Sequence, residues 1–195
     1  MRAVEAVSLF RELSQDPALH NDMPHTGCFI RARQICRRLE QRGDEAVVLR
    51  VSAANQMMTG RVSCLEDDGS YSGHDVNWGF HVAAAASVVN PDGREQLLLF
   101  DPALFDGPVS VDSWSRAMCA GGKNLGTENV QKVPYRQGGD RLLADIEKSV
   151  GLSTDEAFFA ARPDRFAGKK IVRRPSPWQR NYYRIMEAAL SHGRG

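Results

Sequence analysis

The sequence has few of the features that mark membrane, repeat or disulfide-stapled proteins. No apolar run approaches the roughly 20 residues needed to span a bilayer, and no internal repeat or low-complexity block occurs. The four cysteines, Cys28, Cys36, Cys64 and Cys119, form no C-x-x-C pair and no regular spacing. These absences exclude a zinc ribbon and a disulfide framework. A chain of 195 residues is long enough to bury a core without such supports.

The sequence also lacks a large net charge, since 25 Lys and Arg against 24 Asp and Glu give +1, but the charges are unevenly placed. Residues 61–160 carry eight cations and fifteen anions, whereas residues 161–195 carry nine cations and two anions. We therefore predict a main domain over residues 1–165 and a basic, helical C-terminal extension over 166–195. Such a segment is suited to an acidic partner, an immunity protein or a nucleic acid. Its aromatic residues fit base stacking or packing against its own domain.

No secretion signal is recognisable at the N-terminus. The first thirteen residues are interrupted by Glu5, Arg11 and Glu12, a pattern typical of an amphipathic helix rather than of a Sec-type signal. The sequence therefore predicts either a cytoplasmic protein or one exported by a specialised secretion system.

The clearest helix begins at Cys28, after which apolar residues recur at i+4, i+7, i+8 and i+11. Thr26 is the predicted N-cap and Gly43 the predicted stop, while arginines such as Arg31 fill the polar positions. Cys28 thus lies in the first turn, where the positive end of the helix dipole stabilises a thiolate. Cys36, deeper in the same helix, is interpreted as a small buried hydrophobe.

The centre of the chain reads as β-structure. Residues 46–51 predict one strand, and residues 79–89 and 96–101 predict a hairpin closed by the turn Asn90-Pro91-Asp92-Gly93. The four consecutive alanines of the first hairpin strand are also compatible with a helix. Residues 55–75 are polar and predict a long loop. The chain beyond Pro102 reads as irregular, with helical patterns at 142–150, 154–161 and 178–191.

His81 and Asp101 lie on the two arms of this hairpin. An odd-length loop centred near Pro91 would set them opposite each other on one face, whereas a two-residue turn would place them on opposite faces. With Cys28 they supply a nucleophile, a base and a carboxylate to orient the base, as thiol acyl transfer requires. A nucleophile helix on an antiparallel sheet, in the order Cys, His, Asp, is the layout of α+β papain-like and transglutaminase-like folds.

Three blocks of the sequence resemble the bacterial protein-glutaminases. They are Gly27-Cys28-Phe29-Ile30-Arg31-Ala32, then Trp78-Gly79-Phe80-His81-Val82-Ala83, and then Asp101-Pro102-Ala103-Leu104-Phe105 with Gly107-Pro108-Val109 and Trp114. The resemblance covers residues 27–119. It implies an α+β, transglutaminase-like core in which Cys28, His81 and Asp101 are catalytic, and an enzyme that converts glutamine side chains of proteins to glutamate and ammonia through a Cys28 thioester.

The predicted site needs no cofactor. Trp78, His25 and Phe80 are the predicted substrate-binding residues, with Trp78 as a wall of the acyl slot. His20, His25, Cys28 and His74 lack the paired spacing of zinc ligands. The sequence therefore predicts neither a metal site nor a bound cofactor.

Several alternatives share this triad or do without it. A transglutaminase, a papain-like protease or a peptidoglycan amidase would need the same three residues, and a non-catalytic binding module would rely on the basic tail. The 27 residues before Cys28 are expected to be too short for both a signal and a pro-segment. Their shortness suggests the hypothesis of an effector or toxin delivered by a dedicated machine.

Overall fold

The structure is a computed structural model and describes residues 1–52, 58–118, 130–133, 166 and 170–192. Its helices are α1 (Ala3–Gln15), α2 (Cys28–Gln41), α3 (Val111–Ala117) and α4 (Pro177–His192), with a 3-10 turn at Pro17–Leu19. Its strands are β1 (Ala46–Val51), β2 (Met58–Leu65), β3 (Tyr71–Trp78), β4 (His81–Val89), β5 (Glu95–Phe100), β6 (Val109–Ser110), β7 (Val130–Val133) and β8 (Lys170–Val172). Cys119 and the predicted helices at 142–150 and 154–161 lie outside the described residues. Within the described part, no helix is long and apolar enough to cross a membrane.

The N-terminal amphipathic helix is confirmed as α1. Its buried residues recur with helical spacing and include Ala6, Phe10 and Leu13. The ring of Phe10 lies 6.2 Å from the ring of Phe100, so α1 packs on strand β5. The backbone N–H of Arg2 donates to Glu5 at 2.7 Å, which satisfies one free donor at the helix start.

Helix α2 begins at Cys28 as predicted, but its N-cap is Gly27 rather than Thr26. Gly27 has φ of 68°, the left-handed region that costs a residue with a Cβ roughly 1–2 kcal/mol. The predicted stop is confirmed, because Gly43 has φ of 83° and its N–H donates to Glu40. The N–H of Asp44 reaches back to Leu39, so the carbonyls of the last turn are satisfied.

The predicted α+β fold is confirmed by a five-stranded antiparallel sheet in the order β6-β5-β4-β1-β7. The run Ala83–Ala86 forms the centre of strand β4, with exposures of 0–2%, so the helical interpretation of these alanines is wrong. Their small side chains let helix α2 pack closely on β4. This packing sets the first turn of α2 over the start of the central strand.

The β4–β5 hairpin has an odd-length loop, as the site prediction required. Val89 pairs with Glu95 and Ala84 with Phe100, which leaves five residues in the loop. The register differs from the predicted one, because His81 is not directly opposite Asp101 but lies diagonally across from it. The parity is unchanged, so both side chains still project from the same face.

Residues 58–65 and 71–78 form strands, so the long polar loop predicted over 55–75 is wrong for the described residues from 58 onward. Strands β2 and β3 pair over their full length, and β8 adds to β2 to give a second sheet in the order β3-β2-β8. Val62 and Cys64 of β2 are buried, as are Val76 and Trp78 of β3, so alternate positions face the core. The hairpin turns at Gly69, where φ is 80°. Strand β3 therefore delivers Trp78 to the start of β4.

The C-terminal segment packs on the body of the protein. The backbone of Arg174 bonds to Leu104 and Asp106. Helix α4 confirms the predicted helix at 178–191, and the indole N–H of Trp178 donates to Asn90 at 3.0 Å. Tyr182 is buried and its ring stacks on that of Trp178. These two rings face the domain instead of standing free for base stacking; the boundary at residue 165 stays a prediction.

Candidate active site

Cys28 is placed by the left-handed turn at Gly27 and by the packing of α2 on β4. Its side chain is 8% exposed, at the helix end where the first backbone N–H groups have no intrahelical partner. The first intrahelical bond runs from Arg31 to the carbonyl of Gly27. Gly27 has no side chain that could cap these N–H groups. The positive end of the helix dipole therefore acts on the Cys28 thiol without a capping side chain between them.

His81 and Asp101 are brought together by the odd-length hairpin loop. Nε2 of His81 lies 2.8 Å from Oδ2 of Asp101, and the side chains are 0% and 5% exposed. The turn after β5 begins at Asp101, whose carbonyl accepts from Leu104 and Phe105. The carboxylate is therefore held by the backbone as well as by its partner.

The imidazole has one nitrogen left for the thiol. Nε2 of His81 is bonded to Asp101, so only Nδ1 remains to exchange a proton with the Cys28 thiol. Among the described residues, Nδ1 has no hydrogen bond of regular geometry. Burial raises the pKa of Cys28, but the hydrogen bond and charge of His81, with the charge of Arg31 and the N–H of Val82, lower it overall. The site favours a thiolate.

The pKa values of His81 and Asp101 move in the directions that complete an ion pair. Burial lowers the pKa of His81, but the charge and hydrogen bond of Asp101, together with Cys28, raise it from 6.5 to about 9. Burial raises the pKa of Asp101, but the charge and hydrogen bond of His81, the bond from Trp114 and the charge of Arg31 lower it overall. The arrangement thus supports a thiolate and an imidazolium beside an ionised carboxylate.

Two tryptophans flank the imidazole. Trp78 lies 5.2 Å and Trp114 lies 5.7 Å from the His81 ring, centroid to centroid. Their indole N–H groups are both used: that of Trp78 donates to Pro24 at 3.3 Å, and that of Trp114 donates to Oδ2 of Asp101 at 2.9 Å. The rings limit rotation of His81 and exclude water from the His81–Asp101 bond.

The other predicted substrate-binding residues lie elsewhere. The ring of His25 is 5.6 Å from that of Phe166, in the loop that leads to Gly27. Phe80 lies under the guanidinium of Arg50, whose Cζ is 4.9 Å from the centroid of the Phe80 ring. Arg50 pairs with Val82, so it projects from the sheet face opposite His81. The structure therefore places Trp78 against the triad, with His25 in the adjoining loop, but it does not place Phe80 there.

Arg31 was read from the sequence as part of the polar face of the helix, but it is 3% exposed. Its Nη1 donates to the carbonyls of His20 and Met23, at 3.2 Å each. Its position, three residues after Cys28, would have placed it on the same helix face. Helix α3, which carries Trp114, was also missed; the signal was Ser110, whose hydroxyl accepts from the N–H of Ser113 and caps the helix.

The fold agrees with comparisons to solved structures. The A47Q2 mutant of pro-protein-glutaminase is similar in structure, with a TM-score of 0.51 and 21% identity over 68% of this chain and 47% of that chain. This likeness shows the fold, and this chain spans about half the length of that relative. The protein-glutaminase of Chryseobacterium proteolyticum has 24% identity and a TM-score of 0.46, over 60% of this chain and 62% of that one.

No protein of the curated set matches the sequence significantly. The family model described as glutaminase matches residues 6–118, which is more than half of the chain and includes Cys28, His81 and Asp101. The resemblance predicted from the three sequence blocks is confirmed, and the chain belongs to the protein-glutaminase family.

Proposed function

We propose that this protein is a protein-glutamine deamidase that hydrolyses glutamine side-chain amides to glutamate and ammonia. The observation that carries the proposal is the buried row of Cys28, His81 and Asp101, with Nε2 of His81 on Asp101 and Nδ1 left for the thiol. Membership of the glutaminase family supports the same chemistry.

In the first half-reaction, the Cys28 thiolate attacks the carboxamide carbon and the carbonyl π-electrons move to oxygen. The backbone N–H of Cys28, at the start of α2, is placed to stabilise this oxyanion. The imidazolium of His81 then gives its proton to the amide nitrogen, the C–N bond breaks and ammonia leaves. A thioester on Cys28 and a neutral imidazole remain.

In the second half-reaction, neutral His81 takes a proton from water as the water oxygen attacks the thioester carbon. The C–S bond breaks, which restores the thiolate and the imidazolium, and the released carboxylic acid gives its proton to water to become glutamate. Asp101 holds the ring in one tautomer throughout, because its carboxylate accepts from the N–H at Nε2. Each proton and each leaving group is accounted for by these three side chains and water.

The proposed substrate is a glutamine side chain of a protein, bound by Trp78, with His25 in the adjoining loop. Trp78 supports this role most directly, since its ring lies against His81. An apolar wall beside the thioester would hold the aliphatic part of the glutamine side chain and delay the entry of water.

A peptide with a blocked glutamine tests the proposal. We expect ammonia release and a mass gain of about one dalton with the wild-type protein, and a loss of about four orders of magnitude or more in Cys28→Ala. Cys36→Ala is the matched control, because it removes a thiol from the same helix face and should retain activity. Equal loss in both variants would contradict the role of Cys28.

The same experiment separates the alternatives that share the triad. A transglutaminase would incorporate an added amine into the peptide, and a protease would cleave the chain. No mass change, with Cys28 unreactive toward alkylation at neutral pH, would favour a non-catalytic binding module. A toxin role further predicts that the protein arrests growth of a host cell only when Cys28 is intact.

A further inference from the structure

We propose that Arg31 is a positioning residue that balances the charge of the Cys28–His81–Asp101 row and thereby keeps the resting site ionised. The inference deepens the proposed function and rests on it for its catalytic meaning. Its basis is the placement of a buried guanidinium in the first turn of the nucleophile helix.

The guanidinium of Arg31 is fixed in place by the loop before Cys28. It is 3% exposed, and its Nη1 is shared between the carbonyls of His20 and Met23. Its Nη2 is buried and makes no hydrogen bond within the described part of the chain. A buried cationic group that spends only part of its donor capacity is costly, so hydrogen bonding alone does not account for its presence.

The charged groups facing Arg31 come from three parts of the chain. They are Cys28 on its own helix, Asp101 after β5 and Asp22 in the preceding loop, and each acts on it electrostatically. His81 of β4 faces both Cys28 and Asp101. Asp22 is exposed and also acts on Arg173, so its influence within the site is weakened by solvent.

The charge count then identifies the role of Arg31. A thiolate, an ionised Asp101 and an imidazolium sum to one negative charge in a site that is almost closed to water. The charge of Arg31 brings the sum to zero, and a buried cluster without net charge is far less costly than one with an unpaired ion. Although burial lowers the pKa of Arg31, a guanidinium keeps its proton in proteins.

The test compares Arg31→Gln with Arg31→Lys in the full chain. Both variants lose the guanidinium fork, but only glutamine loses the charge. The readout is the alkylation rate of Cys28 by iodoacetamide as a function of pH, followed on the Cys28 peptide by mass spectrometry. We expect Arg31→Gln to react about tenfold more slowly at pH 6, and Arg31→Lys to react within about threefold of wild type.

Arg37→Gln is the matched control, since Arg37 is exposed on the same helix and should leave the profile unchanged. Equal slowing in both Arg31 variants, or slowing in neither, would overturn the proposal. Circular dichroism and thermal melting verify folding. If the glutamine variant does not fold, Arg31→Met, which also lacks the charge, takes its place and should slow alkylation by the same factor.

Alkylation also separates this inference from the proposed function. The rate reports on the thiolate without any glutamine substrate. A wild-type protein that deamidates nothing but shows the expected Arg31 dependence would refute the proposed reaction alone. A protein that deamidates peptides with no Arg31 dependence would refute the inference alone.

Discussion

The two cysteines of helix α2 lie on one buried face, eight residues and about 12 Å apart along the axis, yet they have opposite acid–base properties. Burial and the charge of Glu40 raise the pKa of Cys36 to about 12. Its thiol donates to the carbonyl of Val47, at 3.8 Å. The pKa of Cys28 is instead lowered, because His81 and Arg31 outweigh its burial.

The difference shows that burial alone does not make a cysteine inert. Both thiols are taken out of water, but Cys36 meets a carbonyl and an acidic side chain, whereas Cys28 is influenced by an imidazole, a guanidinium and the positive end of the helix dipole. The reactive thiol is therefore specified by His81 on the facing strand and by Arg31 on its own helix. Changes to those groups should alter Cys28 and leave Cys36 unaffected.

Among changes to the groups around Cys28, the largest effect is expected for Asp101→Asn. The amide cannot stabilise an imidazolium and would favour the wrong tautomer of His81, so kcat should fall by about 10³ to 10⁴. Asp112→Asn is the matched control, because that carboxylate is exposed and pairs with Arg116 on the surface of α3. Steady-state deamidation rates of both variants decide the matter; a similar modest loss in each would show that Asp101 acts only on folding.

The second effect is a bell-shaped pH dependence of kcat/KM. The raised pKa of His81, about 9, keeps the imidazolium protonated well above the usual value of 6.5, while the lowered pKa of Cys28 keeps the thiolate present at lower pH. Activity should therefore rise with pH as the thiolate forms and fall as pH passes about 9, by up to tenfold per unit on each limb. The two apparent values belong to the coupled pair.

Rates measured from about pH 4 to about pH 10 test this window. A fall in kcat/KM that begins near pH 6.5 would contradict the raised pKa of His81. Cys36, with its pKa of about 12, should stay protonated and unalkylated over the same range. The pair thus provides an internal comparison within one chain.

A smaller effect is expected for Trp114→Phe. Phenylalanine keeps an aromatic ring beside His81 but deletes the N–H that donates to Asp101 at 2.9 Å. One lost bond to a charged acceptor should lower kcat by roughly tenfold with little change in KM. Trp78→Phe loses a bond to the backbone of Pro24 instead, so it should affect KM more than kcat. If Trp114→Phe changed mainly KM and Trp78→Phe changed mainly kcat, Trp114 would be the ring that binds substrate and Trp78 the ring that positions the catalytic residues.

The sequence predicts the parts of this site that depend on local patterns. Helical spacing locates Cys28 in a first turn, and the turn at Asn90–Gly93 locates the hairpin. The parity of its loop was enough to place His81 and Asp101 on one face, although the exact register was not predicted. An error of two residues in the register leaves each side chain on the same face of the sheet, but it changes which residues are paired.

The missed features depend on tertiary packing. Arg31 reads as a surface residue because its helical neighbours are charged. Its burial depends on the loop carbonyls of His20 and Met23 and on the charges of the site, which only the tertiary structure brings to it. Strands β2 and β3 read as a loop because polar residues dominate their exposed positions and the turn between them. The alternation of Val62 with Cys64 is too short to outweigh that polarity without knowledge of the partner strand.

The smallest effect compares the two left-handed glycines at the ends of α2. An alanine at Gly43, where nothing lies within 4 Å of the added Cβ, should cost about 1 kcal/mol of stability through its φ of 83° and leave kcat unchanged. Gly27→Ala carries similar strain at φ of 68°, but there the strain displaces the first turn and the Cys28 thiol with it. We expect a similar loss of stability accompanied by a several-fold lower kcat. Thermal melts and rates of both variants test this. Equal activity in the two would mean that the turn at Gly27 stabilises the helix without aiming the nucleophile.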